Sequence, residues 1–362
     1  MLSIGVDARE LLGDFTGAGR YLAELLRRWT VRPDAGSRRF VLYAPERIPL
    51  PLPPSAVEHR ITGRGRGTWW EQTALRRAAG RDPLDLFFAP AYTAPLGLRV
   101  PVAVTIHDVS FLAHPEWFRP RERWRRRWLT SRAASSASVI FTDSQFSCRE
   151  IELRVGVPRS RIRVVRPGVT PRHLQAPSPV RRERLVLFVG SVFNRRRLPH
   201  LLAAFGRATS DMPDARLVIV GDNRTWPRQD LAATAAALDL SSRVELLNYV
   251  EEVHLASLYS RAAVFAFLSE YEGFGLTPLE ALAAGVPIVV LDTEVAREVY
   301  GAAAVYVAAG DIAGTARVLR SRLEHPNATS GSMAEASAVL ARYSWDRAAE
   351  ETLIELERAG RR

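Results

Sequence analysis

The sequence contains no lysine; all 50 basic residues are arginine. Any phosphate held here by a side-chain cation is therefore held by guanidinium, a planar bidentate donor, not by an ammonium point charge. Cysteine is nearly absent. A single Cys148 can form no disulfide within the chain, which excludes a disulfide-stapled scaffold and fits a reducing compartment. Long apolar runs are missing as well. Stretches such as Val286–Leu291 and Ala262–Leu268 fall far short of the ~20 residues that cross a bilayer. The opening Leu2-Ser3-Ile4-Gly5-Val6 reads as a strand, with neither the basic region nor the apolar region of a secretory leader. A cytoplasmic location is expected.

What is present is an ordinary globular composition, 47% hydrophobic and 25% charged over 362 residues. That length predicts two domains at roughly 150 residues each. The net charge of +11 admits phosphorylated ligands, anionic membranes or nucleic acid as partners without choosing among them.

Short apolar strands alternate with helical patterns twice over. Strands are predicted at Leu2–Ala8, Phe40–Ala44, Leu86–Ala89, Val100–Ile106, Val139–Thr142 and Ile162–Val165. A second run follows at Leu185–Val189, Leu217–Val220, Val244–Leu247, Val264–Phe267 and Pro287–Leu291. This is the pattern of parallel sheets covered on both faces, hence α/β with two doubly wound domains. The turn-rich Arg166–Pro171 and the proline-bearing Gln175–Arg184 read as the linker. The divisions are 1–171, 172–344 and a closing helix within 345–362. Ligands of such sheets bind beyond the carboxyl ends of strands, so chemistry is sought in the loops there.

Four loops qualify. Thr16-Gly17-Ala18-Gly19-Arg20 opens a helix after the first strand, where glycines let backbone N–H groups approach an anion. It lacks the P-loop pattern and is equally a tight turn. His107-Asp108 ends a buried strand, where a histidine can donate to a hydroxyl or simply cap the strand end. Gly190-Ser191-Val192-Phe193-Asn194-Arg195-Arg196-Arg197 puts three arginines at a strand-to-helix turn, suited to a diphosphate or else a solvated charge run. Glu270–Ala281 carries a helix entry in which Thr277 is predicted as the N-cap, Pro278 as the first helical residue and Glu280 as the capping-box partner. A cap does not require Glu272, or Gly273 and Gly275 around Phe274. Two carboxylates flanking a glycine-rich helix entry can accept from sugar or ribose hydroxyls, with N–H groups between them free for phosphate. No Asp-x-Asp pair and no zinc spacing occur, so no metal and no cofactor are expected. Arg and Trp interleave over Trp117–Trp128. This suits an anionic membrane surface, although Trp124 and Trp128, four apart, equally suit a core-facing stripe.

The stretch Glu272-Gly-Phe-Gly-Leu-Thr-Pro-Leu-Glu280 resembles the E-x7-E motif of the retaining glycosyltransferases of family 4. Other pieces agree in order: Val6–Arg9, Thr16–Tyr21, Trp70-Glu71-Gln72, Thr105–Asp108, Asp143–Ser147, Pro167-Gly168-Val169 and Ser344-Trp345. The likeness extends to bacterial polysaccharide mannosyltransferases. It implies the GT-B fold, two facing Rossmann-like domains with a cleft between them, and a last helix crossing back to the first domain. It implies a nucleotide-sugar donor bound mainly by the second domain. The acceptor, a saccharide, a lipid-linked glycan or a small molecule, would be bound mainly by the first. By the same likeness Glu272 contacts the donor sugar and Glu280 the ribose, while Arg195 and Arg196 stabilise the diphosphate. Ser191, Gly273, Phe274, Gly275 and Leu276 belong to the donor site. His107 faces the sugar, Gly17 and Gly19 reach the phosphates or the acceptor, and Asn248-Tyr249-Val250 borders the base.

The sequence departs from the family pattern in three places: Arg196 stands where lysine is common, Phe193-Asn194 replaces Glu-Pro, and Asn248 replaces a glycine. The resemblance implies a metal-independent transfer of a hexose, with mannose favoured. Two other readings stay open. One is another GT-B activity, a sugar phosphorylase or nucleotide-sugar epimerase. The other is a basic nucleic-acid-binding protein, although no nucleic-acid-binding motif appears and nucleic acid is not expected as a partner.

Overall fold

The computed structural model describes residues 1–13, 17–63, 65–170, 181–327 and 331–361. Thr16 of the first loop and the linker residues 171–180 lie outside the described residues. The chain forms two compact units. One comprises Met1–Ala113, Pro120–Gly168 and Tyr343–Arg362; the other comprises His114–Arg119 and Val169–Arg342.

The first unit is built on seven parallel strands: β1 (Leu2–Asp7), β2 (Arg38–Ala44), β3 (Val57–Ile61), β4 (Leu86–Ala89), β5 (Val102–Thr105), β6 (Val139–Thr142) and β7 (Ile162–Val164). Their order is β3-β2-β1-β4-β5-β6-β7. All pairings are parallel, and β4, β5 and β6 are buried at every residue. That burial explains their continuous apolar sequence. The strand order reverses between β1 and β4, which puts the unit's natural ligand site at their carboxyl ends.

The C-terminal helix Trp345–Gly360 belongs to this first unit. Its buried stripe of Trp345, Ala349, Leu353 and Leu356 joins the core around Leu22, Leu26 and Trp29. The Trp29 indole Nε1 donates to Ala349 O at 2.8 Å. Ser344 caps the helix, its Oγ accepting from Arg347 N. Gly168 is obligatory beside it, because a Cβ there would lie 2.2 Å from Trp345 N. This gives a steric reason for Pro167-Gly168-Val169 and Ser344-Trp345.

The second unit holds six parallel strands: β8 (Leu185–Val189), β9 (Arg216–Val220), β10 (Val244–Leu247), β11 (Val264–Phe267), β12 (Ile288–Leu291) and β13 (Ala304–Val307). They are ordered β10-β9-β8-β11-β12-β13, with the reversal between β8 and β11. The helix Leu198–Ala208 buries Leu198, Leu201, Leu202 and Phe205.

Four details depart from the sequence reading. The strands β3 and β13 were not expected. The segment Thr68–Ala79 is helical throughout but contains a π-helical stretch over Glu71–Leu75. The helix after β11 starts at Leu276, so Thr277 is not its N-cap; Gly275, at φ 88°, stands there and no side chain caps it. Finally, Trp124 and Trp128 do not face a core. They are 67% and 43% exposed.

Candidate functional site

Two loops meet at the reversal point of the second sheet. The chain leaves β8 through Gly190, Ser191 and Val192 into a short 3-10 turn, Asn194–Arg196. It leaves β11 through Ser269, Glu270 and Glu272 into the helix Leu276–Ala283. A backbone bond joins the loops, Glu270 N donating to Arg195 O at 2.9 Å. Side chains then cross between them. Arg196 Nε donates to Glu272 Oε1 at 3.0 Å, Arg195 Nε lies 3.5 Å from the same oxygen, and Ser269 Oγ donates to it at 2.8 Å. Arg196 Nη1 also donates to Ser191 O at 2.7 Å. Aromatic rings support the guanidiniums: Phe267 lies 5.0 Å from Arg196, and Phe193 lies 4.3 Å from Arg195. Sequence distance is large, but the strand order makes Arg195, Arg196 and Glu272 neighbours.

The electrostatics are unequal. Arg195, Arg196 and Glu272 are all largely out of water. Burial alone would raise the Glu272 carboxyl, but Arg196 and Arg195 outweigh it, and the group titrates below its ordinary range. Arg196 is pulled below the ordinary guanidinium value, chiefly by burial, with Glu272 opposing and Arg195 adding repulsion. Two cations share one anion, so the three side chains carry one net positive charge. Such a group is suited to an entering anion.

Glycines make room for it. A Cβ on Gly190 would lie 2.3 Å from Arg196 Nη1, and one on Gly221 would lie 2.1 Å from Gly190 O. At Gly275 a Cβ would meet Tyr300 Oη at 2.1 Å, and that hydroxyl donates to Gly275 O at 2.9 Å. Gly273 and Phe274 are buried in the same loop, while Leu276 is half-buried at the helix start. Glu280 is buried in that helix, with Tyr259 Oη donating to its Oε2 at 3.5 Å. Ser191 hydrogen-bonds Asp222 beyond β9. Asn248 and Tyr249 are exposed beyond β10, with Val250 half-buried; the preceding Leu247 O accepts from Gly221 N.

The first unit holds separate polar clusters at the carboxyl ends of its strands. His107 follows β5. Its Nδ1 is 2.7 Å from Asp143 Oδ2 and its Nε2 is 3.1 Å from Pro90 O. Both partners are acceptors, so only the imidazolium satisfies both. Burial would lower its pKa, but Asp143, Asp108 and the hydrogen bonds raise it. Neither nitrogen is left over for a sugar hydroxyl in this arrangement. Tyr21 and Tyr92 set their rings edge-on to the imidazole at 5.2 and 5.7 Å, and Tyr92 holds a left-handed φ of 60°. Gly17 and Gly19 form the first turn of the helix Gly17–Trp29. A Cβ on Gly17 would meet nothing within 4 Å.

Beside them Asp7, Arg9 and Glu71 form a buried ion cluster. Arg9 bridges Asp7 and Glu71, and Thr93 Oγ1 donates to Glu71 at 2.6 Å. Burial, opposed by Arg9 and reinforced by Glu71, pushes Asp7 up to about 7.

Two family models match adjoining parts of the chain. The model "Glycosyltransferase Family 4" covers residues 15–173, and "Glycosyl transferases group 1" covers 171–337. The chain belongs to the family 4 glycosyltransferases. Among the curated relatives of this glycosyltransferase is O-antigen chain mannosyltransferase B of Escherichia coli, 26% identical over 93% of this chain and 95% of the relative. The GDP-mannose:cellobiosyl-diphosphopolyprenol alpha-mannosyltransferase of Xanthomonas campestris is 28% identical over 57% of this chain and 53% of its own. Among solved structures, sucrose-phosphate synthase from Thermosynechococcus elongatus superposes with a TM-score of 0.77 at 18% identity, covering 99% of this chain and 98% of that one. Anabaena HepE in complex with UDP-glucose gives 0.74 at 19% identity, covering 98% and 100%. The fold is therefore the GT-B type, each unit a Rossmann-like domain.

The structure brings Arg195, Arg196, Ser191 and Glu272 into direct contact and places Gly275 and Leu276 at the adjoining helix entry. It places His107, Gly17 and Gly19 in the other unit. Sequence reasoning gave no role to Ser269, Tyr300, Asp143 or the Asp7–Arg9–Glu71 cluster. Asp143, Asp7, Arg9 and Glu71 all stand in pieces of the family likeness. Nothing in the sequence pattern singles out Ser269 or Tyr300.

Proposed function

We propose that this glycosyltransferase moves a hexose, with mannose favoured by its relatives' names, from a nucleoside-diphosphate donor to a saccharide, lipid-linked or small-molecule acceptor. It does so with retention at the anomeric carbon, in the cytoplasm and without a metal. The carrying observation is the group of two buried guanidiniums on one carboxylate at the reversal point of the second sheet. Breaking the anomeric carbon–phosphate bond leaves negative charge on the diphosphate. Arg195 and Arg196 supply the charge that offsets it, and the N–H groups at the Gly275–Leu276 helix entry add to it. Glu272 Oε1 carries the contacts to Arg196, Arg195 and Ser269, so Oε2 is the oxygen for a donor-sugar hydroxyl. Glu280 takes the ribose hydroxyls, and the backbone of Asn248–Val250 borders the base. The first unit takes the acceptor, with Gly17 and Gly19 giving its backbone access. His107 is held there by Asp143 and Pro90.

Retention requires the acceptor oxygen to bond the anomeric carbon on the face the phosphate leaves. The acceptor's proton passes to the departing phosphate oxygen, so no separate protein base is needed.

The test is transfer from GDP-mannose, UDP-glucose and dTDP-glucose in the presence of EDTA, with the anomeric configuration of the product read by NMR. An α product from an α donor, and a loss of ~100-fold in kcat for Arg196→Ala, is the expected result. An inverted product, or a strict need for added divalent metal, would overturn the reading.

A further inference from the structure

Helix Pro120–Ser136 of the first unit has two faces. Leu129, Thr130, Ala133 and Ala134 are buried. At about 100° per residue, Arg121, Trp124, Arg125, Trp128 and Arg132 fall within an arc of roughly 100° on the opposite side. All five are exposed. Trp124 and Trp128 stack on each other at 6.4 Å with rings only 9° from parallel. The Arg132 guanidinium lies 5.9 Å from the Trp128 ring. Arg125 Nη1 donates to Thr68 Oγ1, which brings the neighbouring segment and its Trp69, 82% exposed, alongside.

Three large indoles in water at one place are unusual for a protein surface. They stand among cations. The helix has six arginines and one acid, Glu122, which pairs with Arg126 on the flank. Among the described residues Arg121, Arg123 and Arg127 have no carboxylate partner.

We propose that this face, with Trp69, docks on an anionic lipid bilayer. Indole rings favour the headgroup level of a membrane, and guanidiniums bind lipid phosphates. The charge argues against a second copy of the chain as occupant, because a two-fold contact would set this arginine face against its own like charge. The inference does not rest on the donor-site reading, since vesicle binding needs neither nucleotide nor acceptor.

The experiment is co-sedimentation of the full chain with vesicles of phosphatidylcholine alone and of phosphatidylcholine with phosphatidylglycerol, at rising salt. Binding to the anionic vesicles only, weakened by salt, is expected. Tryptophan emission should shift to the blue and be quenched by brominated lipid. Arg121→Gln and Arg132→Gln should each lower partitioning about fivefold. The double variant Trp124→Ser/Trp128→Ser should abolish both the quenching and most of the binding. All four positions are exposed, and far-UV circular dichroism checks that the variants remain folded. Equal binding to both vesicle types, no binding, or undiminished binding by the tryptophan variant would overturn the proposal. So would a dimer in sedimentation velocity that the tryptophan variant dissociates, or displacement of the tryptophans by RNA but not by lipid.

Discussion

At the residue scale, Arg195, Arg196 and Glu272 combine low exposure with unequal charge. Replacing Glu272 by Gln keeps the shape and removes the only anion of the three. Two buried guanidiniums then face each other, and the change should destabilise the protein by about 3 kcal/mol in addition to lowering transfer. Chemical denaturation of Glu272→Gln, with and without inorganic pyrophosphate, checks this. Pyrophosphate should restore part of the loss, because it returns negative charge to the same place.

Asp7 is the second residue-scale case. Its folded pKa of about 7 lies above the unfolded value near 3.8, so the folded chain binds the extra proton. Protonated Asp7 is tolerated at low pH, and stability falls as pH rises from about 4 to about 7, where the folded group ionises. The groups facing it are Arg9, Glu71 and Glu10. Asp7→Asn should therefore gain on the wild type across that window, by up to a few kcal/mol, on the order of the shift itself. Melting temperatures of both proteins against pH test it; a constant difference from pH 4 to 7 would contradict it. Glu272 acts in the opposite sense. Its depressed pKa contributes stability above the ordinary glutamate range and loses it as pH falls.

The chemistry at this scale was partly legible. Glu272 and the arginine run stand out because a carboxylate and cations follow strands with no structural need for them. Ser269 was illegible, because a serine in a loop looks like any other until the fold shows what it touches. His107 is marked in the sequence by its place after β5, but its partners are not. Asp143 and Pro90 reach it from β6 and β4, and strand order is not written in any one segment.

At the scale of the element, glycines separate geometry from function. Gly275 has φ 88° and its missing Cβ would meet Tyr300 Oη. Gly275→Ala should cost at least ~1 kcal/mol and shift the helix entry. Gly17 has open space around it and sits in a helical turn, where alanine is favoured. Gly17→Ala should leave the melting temperature unchanged or slightly raised. If backbone at that turn approaches the phosphates or the acceptor, transfer should nevertheless fall. A variant equally active and equally stable would remove Gly17 from the site.

The central strands were readable from sequence because burial on both faces gives unbroken apolar runs, as at β4, β6, β8 and β11. The edge strand β3 was not, since Glu58, His59 and Arg60 are only partly buried and its sequence has no apolar run. The start of helix Leu276–Ala283 was misplaced for a related reason. Thr277 and Glu280 satisfy the capping-box pattern, but the left-handed Gly275 lets the helix begin two residues earlier, and the pattern is left unused.

At the scale of the whole molecule, both sheets carry polar clusters at the carboxyl ends of their strands, where ligands of such sheets bind. The alternation of strands and helices predicts this arrangement, but the net charge of +11 does not locate it. Many of the arginines sit in surface ion pairs such as Arg320–Asp211 and Arg297–Asp292, which contribute little to stability.

The proposed function turns on a nucleoside diphosphate binding at the buried arginine pair of the second unit. Its most direct test is a thermal-shift titration of the wild type and Arg196→Ala with GDP, UDP, dTDP and ADP in EDTA. A nucleotide at ~100 times its dissociation constant should add about 2.7 kcal/mol to the wild type. Such a shift is expected for one base, and its loss in Arg196→Ala. No shift with any nucleotide, or a shift of the same size in the variant, would contradict it.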